Sequence, residues 1–195
     1  MENKSSKEHH VCPWYMAYLF DNPLRPLLHN PEKILGQYVK PGMTVLDIGC
    51  GMGFFSLGMA RMVRPGGRVI SLDLQAQMLT ILERRGRRQG LSRHIEGRIV
   101  EGDSLPVADP VDFALCFWMV HEIPDQAVFF RELNRVLKPG AHVLIAEPAM
   151  HHVKPEDLDK TVSIAMEEGF SAAERPRIRL SHAVVLEKPC LVSSV

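Results

Sequence analysis

Little in this chain marks a special environment. Lysine plus arginine and aspartate plus glutamate stand at 23 each, so no net charge draws it to a polyanion or a membrane surface. No run approaches the roughly 18 apolar residues of a membrane span, and residues 1–10 are polar, without the apolar segment of a secretory leader. The four cysteines (Cys12, Cys50, Cys116 and Cys190) form no C-x-x-C pair and no framework spacing, which argues against a disulfide-stapled module and suits a reducing compartment. The expected location is the cytoplasm. Repeats and low-complexity tracts are also missing. What is there is ordinary for a soluble domain: 46% apolar and 24% charged over 195 residues, enough chain for one domain with a real core.

Strand and helix patterns alternate from residue 40 onward, the signature of a parallel sheet with crossover helices. The patterning predicts strands at 44–48, 68–72, 95–100, 112–118 and 142–146. Helices are expected at 54–63, 75–88, 124–137 (with Pro124 in its first turn) and 155–168. Two final strand-like pieces, 172–180 and 183–187, lie too close together for a crossover and are expected to pair antiparallel. Before the sheet, Asn30 reads as the N-cap of a helix ending near Val39, and residues 12–20 pack Trp14, Tyr15, Tyr18 and Phe20 into nine positions.

The most informative stretch is Asp47-Ile48-Gly49-Cys50-Gly51-Met52-Gly53. An apolar run ends in an acid and then in glycines spaced G-x-G-x-G, with a helical pattern following at once. Such a turn brings backbone close to a ligand without a Cβ in the way and presents helix-initial N–H groups to it. Neither register gives the G-x-G-x-x-G of dinucleotide binders, since position 54 is Phe and position 56 is Ser. The segment resembles motif I of the class I S-adenosylmethionine (SAM)-dependent methyltransferases, and further matches follow in that family's order over residues 40–190. The likeness is to the small-molecule branch, including ubiquinone/menaquinone-type and arsenite-type enzymes. It implies an α/β, Rossmann-like seven-stranded sheet, mostly parallel, with one antiparallel strand at the C-terminal end and helices on both faces. It further implies a division into an N-terminal helical and aromatic segment (1–39) and a SAM-binding domain (40–195).

The same resemblance assigns the site. Gly49, Cys50, Gly51 and Gly53 would form the turn around the methionyl part of SAM, with Asp47 facing its ammonium group. Asp73, ending the second strand, would accept the ribose hydroxyls. Asp103, with Ser104 and Leu105, would hold the adenine, and Leu74 and Met52 are candidate apolar walls. The fourth strand leads through Phe117 towards the transferred methyl and the acceptor. There is no [D/N/S]-P-P-[Y/F/W] after that strand, and Cys12-Pro13 lies before motif I, so amine methylation of DNA and cytosine C5 chemistry lose support.

His121 is the best-placed candidate base, needed only where the acceptor carries a proton that must leave, since an unperturbed imidazole titrates near pH 6.5; the alternative is a histidine that hydrogen-bonds its loop or caps the next helix. Trp14, Tyr15 and Tyr18 are the expected substrate lid. His9, His10, Cys12, His151 and His152 could converge on zinc or a soft metalloid only if the N-terminal segment folds over, and no metal is expected. Arg84, Arg85, Arg87, Arg88 and Arg93 read as a solvated face, so neither nucleic acid nor membrane is expected as a partner. The expected activity is methyl transfer from SAM, releasing S-adenosylhomocysteine, to a small-molecule acceptor. The alternatives are an NAD(P)-type oxidoreductase and a SAM-binding module without turnover.

Overall fold

The computed structural model describes residues 25–149 and 153–190. Seven strands form one sheet: β1 Thr44–Ile48, β2 Arg68–Asp73, β3 Ile95–Ile99, β4 Val111–Phe117, β5 Leu137–Pro148, β6 Ser171–Glu174 and β7 Ser181–Glu187. Their order is β3-β2-β1-β4-β5-β7-β6. β7 runs antiparallel to both its neighbours, and every other pairing is parallel. The sheet therefore has the expected class and the expected single reversed strand. The chain leaves β1 towards β2 on one side and β4 towards β5 on the other, so the topological switch point lies between β1 and β4.

Alternation along each strand sorts the core into two halves. Helices α1 (Arg25–Leu28), α2 (Pro31–Leu35), α3 (Phe54–Met62) and α4 (Ala76–Arg88) precede β3 in the chain. Leu35, Phe55, Met59 and Leu82 from this set pack with Val45, Val69, Phe113 and Leu115 of the sheet. On the opposite face α5 (Gln126–Val136) and α6 (Pro155–Glu167) supply Phe130, Leu133, Leu158 and Val162 against Leu46, Ile70, Cys116 and Ile145. Residues bearing the same parity share a face, so Asp47 and Ser71 point with Val45 and Val69 towards α3, and Glu147 points with Val143 and Ile145 towards α5 and α6.

Some element boundaries differ from the sequence reading. The helix expected from Pro124 begins at Gln126, because Asp125 is a better cap: its Oδ1 accepts from the Val128 N–H at 3.0 Å. The strand expected over 172–180 stops at Glu174, where Pro176 has no N–H to give the ladder. The helix expected to reach Val39 ends at Leu35, although Asn30 caps it as expected, accepting from the Lys33 N–H at 3.0 Å. β5 starts five residues before the expected position 142, pairing Leu137 with Val111 ahead of a register shift.

Candidate functional site

Three glycines of positive φ (Gly49 at 69°, Gly51 at 52°, Gly53 at 83°) carry the chain from β1 into α3. Gly49 is held close, since a Cβ there would lie 3.1 Å from Cβ and Cγ of Met119 in the turn after β4. The two strand exits that flank the switch point are thus in contact. Gly53 caps α3 without a side-chain hydrogen bond, and the Ser56 N–H of the first turn bonds the Asp47 carboxylate.

Asp73 latches this turn. Its Oδ2 accepts the Gly51 N–H and its Oδ1 the Gln75 N–H, both at 2.9 Å. With the Leu74 N–H as a third backbone donor, the carboxylate still keeps lone-pair capacity to receive a ribose hydroxyl. Burial raises the Asp73 carboxyl above the ordinary aspartate range, and the backbone N–H groups partly offset this. Leu74, next in the chain, is 55% exposed at the rim, whereas Met52 is buried.

Asp47 is more deeply placed, at 2% exposure. Its Oδ2 accepts the hydroxyl of Ser56, whose Oγ in turn accepts that of Ser71 at 2.9 Å. Burial pushes its carboxyl up to about 6, the Ser56 hydrogen bond and the charge of nearby Arg25 oppose the shift, and the charge of Asp73 adds to it. Cys50, also buried, has its thiol raised by desolvation and by the same two acids, so it stays protonated. Two buried acids beside one turn concentrate negative charge there, with the Arg25 guanidinium acting on Asp47 from nearby.

The sign of the linkage is definite. An acid whose pKa is higher folded than unfolded contributes stability that is complete below pH 4 and is lost as pH rises through about 6. Over that window the charged Asp47 costs the unliganded protein roughly 3 kcal/mol, at 1.36 kcal/mol per pKa unit. Asp47→Asn is therefore expected to raise the denaturant midpoint of the unliganded protein at pH 7 and flatten its pH dependence between 4 and 6. The same change should weaken binding of a cationic ligand. A midpoint that falls at pH 7 would contradict the assignment.

The turn carrying the third acid is held from behind. Glu132 of α5 accepts from Ser104 Oγ and from the Leu105 N–H, both at 3.1 Å. Arg135 donates to the Leu105 carbonyl at 2.9 Å and the Val107 carbonyl at 3.3 Å, and Arg98 of β3 donates to the Pro106 carbonyl at 2.5 Å. Arg135 also bonds Glu132, holding that carboxyl down at about 2. Residues 104–107 are thereby fixed while Asp103 stays exposed.

After β4 the backbone turns sharply at Trp118, a non-glycine residue with φ 60°. That conformation is strained, and such strain concentrates at functional sites. It sends successive side chains to different places. Trp118 reaches Ser181 Oγ through its indole N–H at 2.9 Å, Met119 meets Gly49, and Val120 enters the core. His29 fills the space beside it, edge-on to Phe117 at 5.1 Å and Trp118 at 5.2 Å, bonded through Nε2 to the Arg179 carbonyl at 2.8 Å. Burial lowers the pKa of that imidazole. Phe117 also packs on Phe55, with centroids 4.4 Å apart.

His121 lies in the same turn, its Nδ1 bonded to the Glu147 carboxylate. Glu147 is 2% exposed and also accepts the Val120 N–H at 2.9 Å. The hydrogen bond to Glu147 raises the His121 pKa above 6.5, against the opposing effect of burial. Together with Ile123, Leu158 and Ile164 the pair borders a cavity of about 490 Å³ between the segment 121–126 that leads into α5 and the side of α6.

The structure thus gathers Asp47, Gly49, Cys50, Gly51, Gly53 and Asp73 around one turn, with Phe117 at the neighbouring strand exit. Trp14, Tyr15, Tyr18, His9, His10, Cys12, His151 and His152 lie outside the described residues. Among the described residues no group of three or more His, Cys, Asp or Glu could hold a metal ion, and no helix is long and apolar enough to cross a membrane. Sequence reasoning missed Ser56, Glu132, Arg135 and Glu147. Only Glu147 carried a usable signal, an acid closing an apolar strand as Asp47 and Asp73 do.

The curated relatives include the demethylmenaquinone methyltransferase of Lactobacillus johnsonii, 34% identical over 110 residues, or 56% of this chain and 45% of that one. The arsenite methyltransferase of Halobacterium salinarum is 34% identical over 130 residues, 66% of this chain and 32% of that one. The chain therefore spans a third to a half of the length of these relatives. A SAM-dependent methyltransferase of Aquifex aeolicus superimposes with a TM-score of 0.82 at 28% identity, covering 91% of this chain and all of that one. The sequence pattern of the methyltransferase domain matches residues 39–177, and the chain belongs to that family.

Proposed function

We propose that the protein transfers the sulfonium methyl group of SAM to a small-molecule acceptor. The observation that carries this reading is the pair of buried acids, Asp47 and Asp73, flanking an open glycine turn at the switch point. The backbone of the turn lies against the methionyl part, Asp47 supplies the countercharge for the ammonium, and Asp73 receives the ribose hydroxyls. Leu74 and the braced Asp103, Ser104 and Leu105 enclose the adenine. SAM supplies an electrophilic methyl whose leaving group is a neutral thioether. The protein's part is then alignment of an acceptor with that carbon, an effect worth up to about 7–11 kcal/mol in well-oriented intramolecular reactions.

A dinucleotide is disfavoured on the same ground, because its pyrophosphate would lie against two carboxylates that already repel each other. The names of the relatives, on demethylmenaquinone and arsenite, favour a small acceptor over a macromolecule. A cytoplasmic site of action belongs to the same proposal. Thermal-shift titration separates the readings. SAM and S-adenosylhomocysteine should stabilise the protein, and NAD(H) should not; the reverse ranking would replace methyl transfer by hydride transfer. Binding of SAM with no S-adenosylhomocysteine released over a broad acceptor screen would leave a binding module.

A further inference from the structure

Asp47 of β1 and Ser71 of β2 stand side by side in register, and α3 lays Ser56 across the pair. All three are buried, on the sheet face that carries Val45 and Val69. We propose that Ser56, backed by Ser71, is a positioning residue for the cofactor: it holds the buried Asp47 carboxylate in its charged form, ready for the ammonium of SAM. The inference rests on the methyl-transfer reading above.

The bonds run one way. Ser71 Oγ donates to Ser56 Oγ at 2.9 Å, and the Ser56 hydroxyl donates to Asp47 Oδ2. The Ser56 N–H, in the first turn of α3, bonds the same carboxylate. One residue therefore brings two donors, at the end of a helix whose dipole favours negative charge. A buried hydroxyl is costly unless bonded, and alanine would pack here without that cost, so the two serines mark a need for donors. A protonated carboxyl must itself donate from one oxygen. An ionised one only accepts, and that is the form these donors suit.

Other groups act on the same charge. Burial and Asp73 of β2 favour the proton, and Arg25 of α1 favours the charge. The thiols of Cys50 in the glycine turn and Cys116 in β4 are held protonated by their own burial. In the balance the unliganded carboxyl sits at about 6, so at neutral pH it is charged by a narrow margin. Taking away the Ser56 hydroxyl removes a donor to the charged form and moves that midpoint higher. The ammonium of SAM meets the charged form. Binding below the midpoint therefore displaces a proton from Asp47 to solvent, and affinity falls as the pH is lowered.

A midpoint one pH unit higher leaves about a fifth of the parent's charged Asp47 at pH 6 and about three-quarters of it at pH 7.5. Ser56→Ala is therefore expected to weaken SAM binding about fivefold at pH 6 and less than twofold at pH 7.5. Ser71→Ala should act in the same direction by less. A serine that merely supported the turn would cost the same at both pH values.

The test is calorimetric titration of the full chain with SAM and S-adenosylhomocysteine from pH 5 to 7.5, in two buffers of different ionisation enthalpy. The parent should release about half a proton per ligand at pH 6, and Ser56→Ala more. Asp47→Asn, expected above to gain stability, is the background that isolates the coupling. There the affinity should lose its acid limb, and adding Ser56→Ala should change it less than twofold at either pH. A Ser56→Ala loss equal at pH 6 and 7.5, no loss at pH 6, or a loss that persists in full in the Asp47→Asn background would each overturn the inference. Should circular dichroism show Ser56→Ala unfolded, the same readings on Ser71→Ala decide: a loss larger at pH 6 supports the inference, and an equal or absent one overturns it. No SAM bound at any pH would instead overturn the methyl-transfer reading.

Discussion

Replacing Asp73 by Ala is expected to weaken SAM binding at least a hundredfold, about 2.8 kcal/mol. Two losses combine. The ribose hydroxyls lose a charged acceptor, and hydrogen bonds to charged groups contribute about 1.5–3 kcal/mol each. The Gly51 and Gln75 N–H groups lose theirs as well, so the turn that should be rigid before the ligand arrives is released on one side. Asp73→Asn should fall between, since its amide keeps one acceptor oxygen of two. Calorimetric titration at a temperature where circular dichroism shows both variants folded measures the effect. An Asp73→Ala affinity within threefold of the parent would refute the ribose assignment.

The second large effect concerns folding. Gly53→Ala is expected to lower unfolding free energy by about 2–5 kcal/mol. Left-handed backbone at a residue with a Cβ costs roughly 1–2 kcal/mol, and overpacking a filled core adds roughly 1–3 kcal/mol. The collision is specific: at φ 83° the new methyl would lie 2.2 Å from Leu82 Cδ1 and 3.1 Å from its Cγ, and Leu82 is fully buried. Gly66 is the control, because its φ is similar at 84° but nothing lies within 4 Å of the position. Gly66→Ala should show the backbone cost alone. Equal losses in the two variants, read from urea midpoints, would remove the role given to Leu82.

What could be read from residues alone follows the range of the forces involved. Period and punctuation are local, so the order of strands and helices, the reversed last strand and the cap at Asn30 were legible. The glycine turn and the acids at the ends of β1 and β2 were legible too, because a strand end followed by a turn is a position that chain order alone defines. Element starts were less so: Asp125 against Pro124 is a contest between two good helix openers that the side-chain bond to Val128 decides. Residues that act across the fold gave no local sign. Ser56 matters because α3 lays it on β1, and Glu132 with Arg135 because α5 passes behind residues 104–107. Glu147 was the avoidable omission, since the rule that singled out Asp47 applied equally to the Ala146-Glu147-Pro148 end of β5.

The most direct test is a crystal structure of the full chain with S-adenosylhomocysteine. The ribose hydroxyls should lie within hydrogen-bond distance of the Asp73 carboxylate, the amino-acid end over Gly49 and Gly51, and the adenine between Leu74 and the 103–105 turn. Density for the ligand elsewhere, or a crevice still empty at saturating concentration with Asp73 turned away from it, would contradict the account at its base.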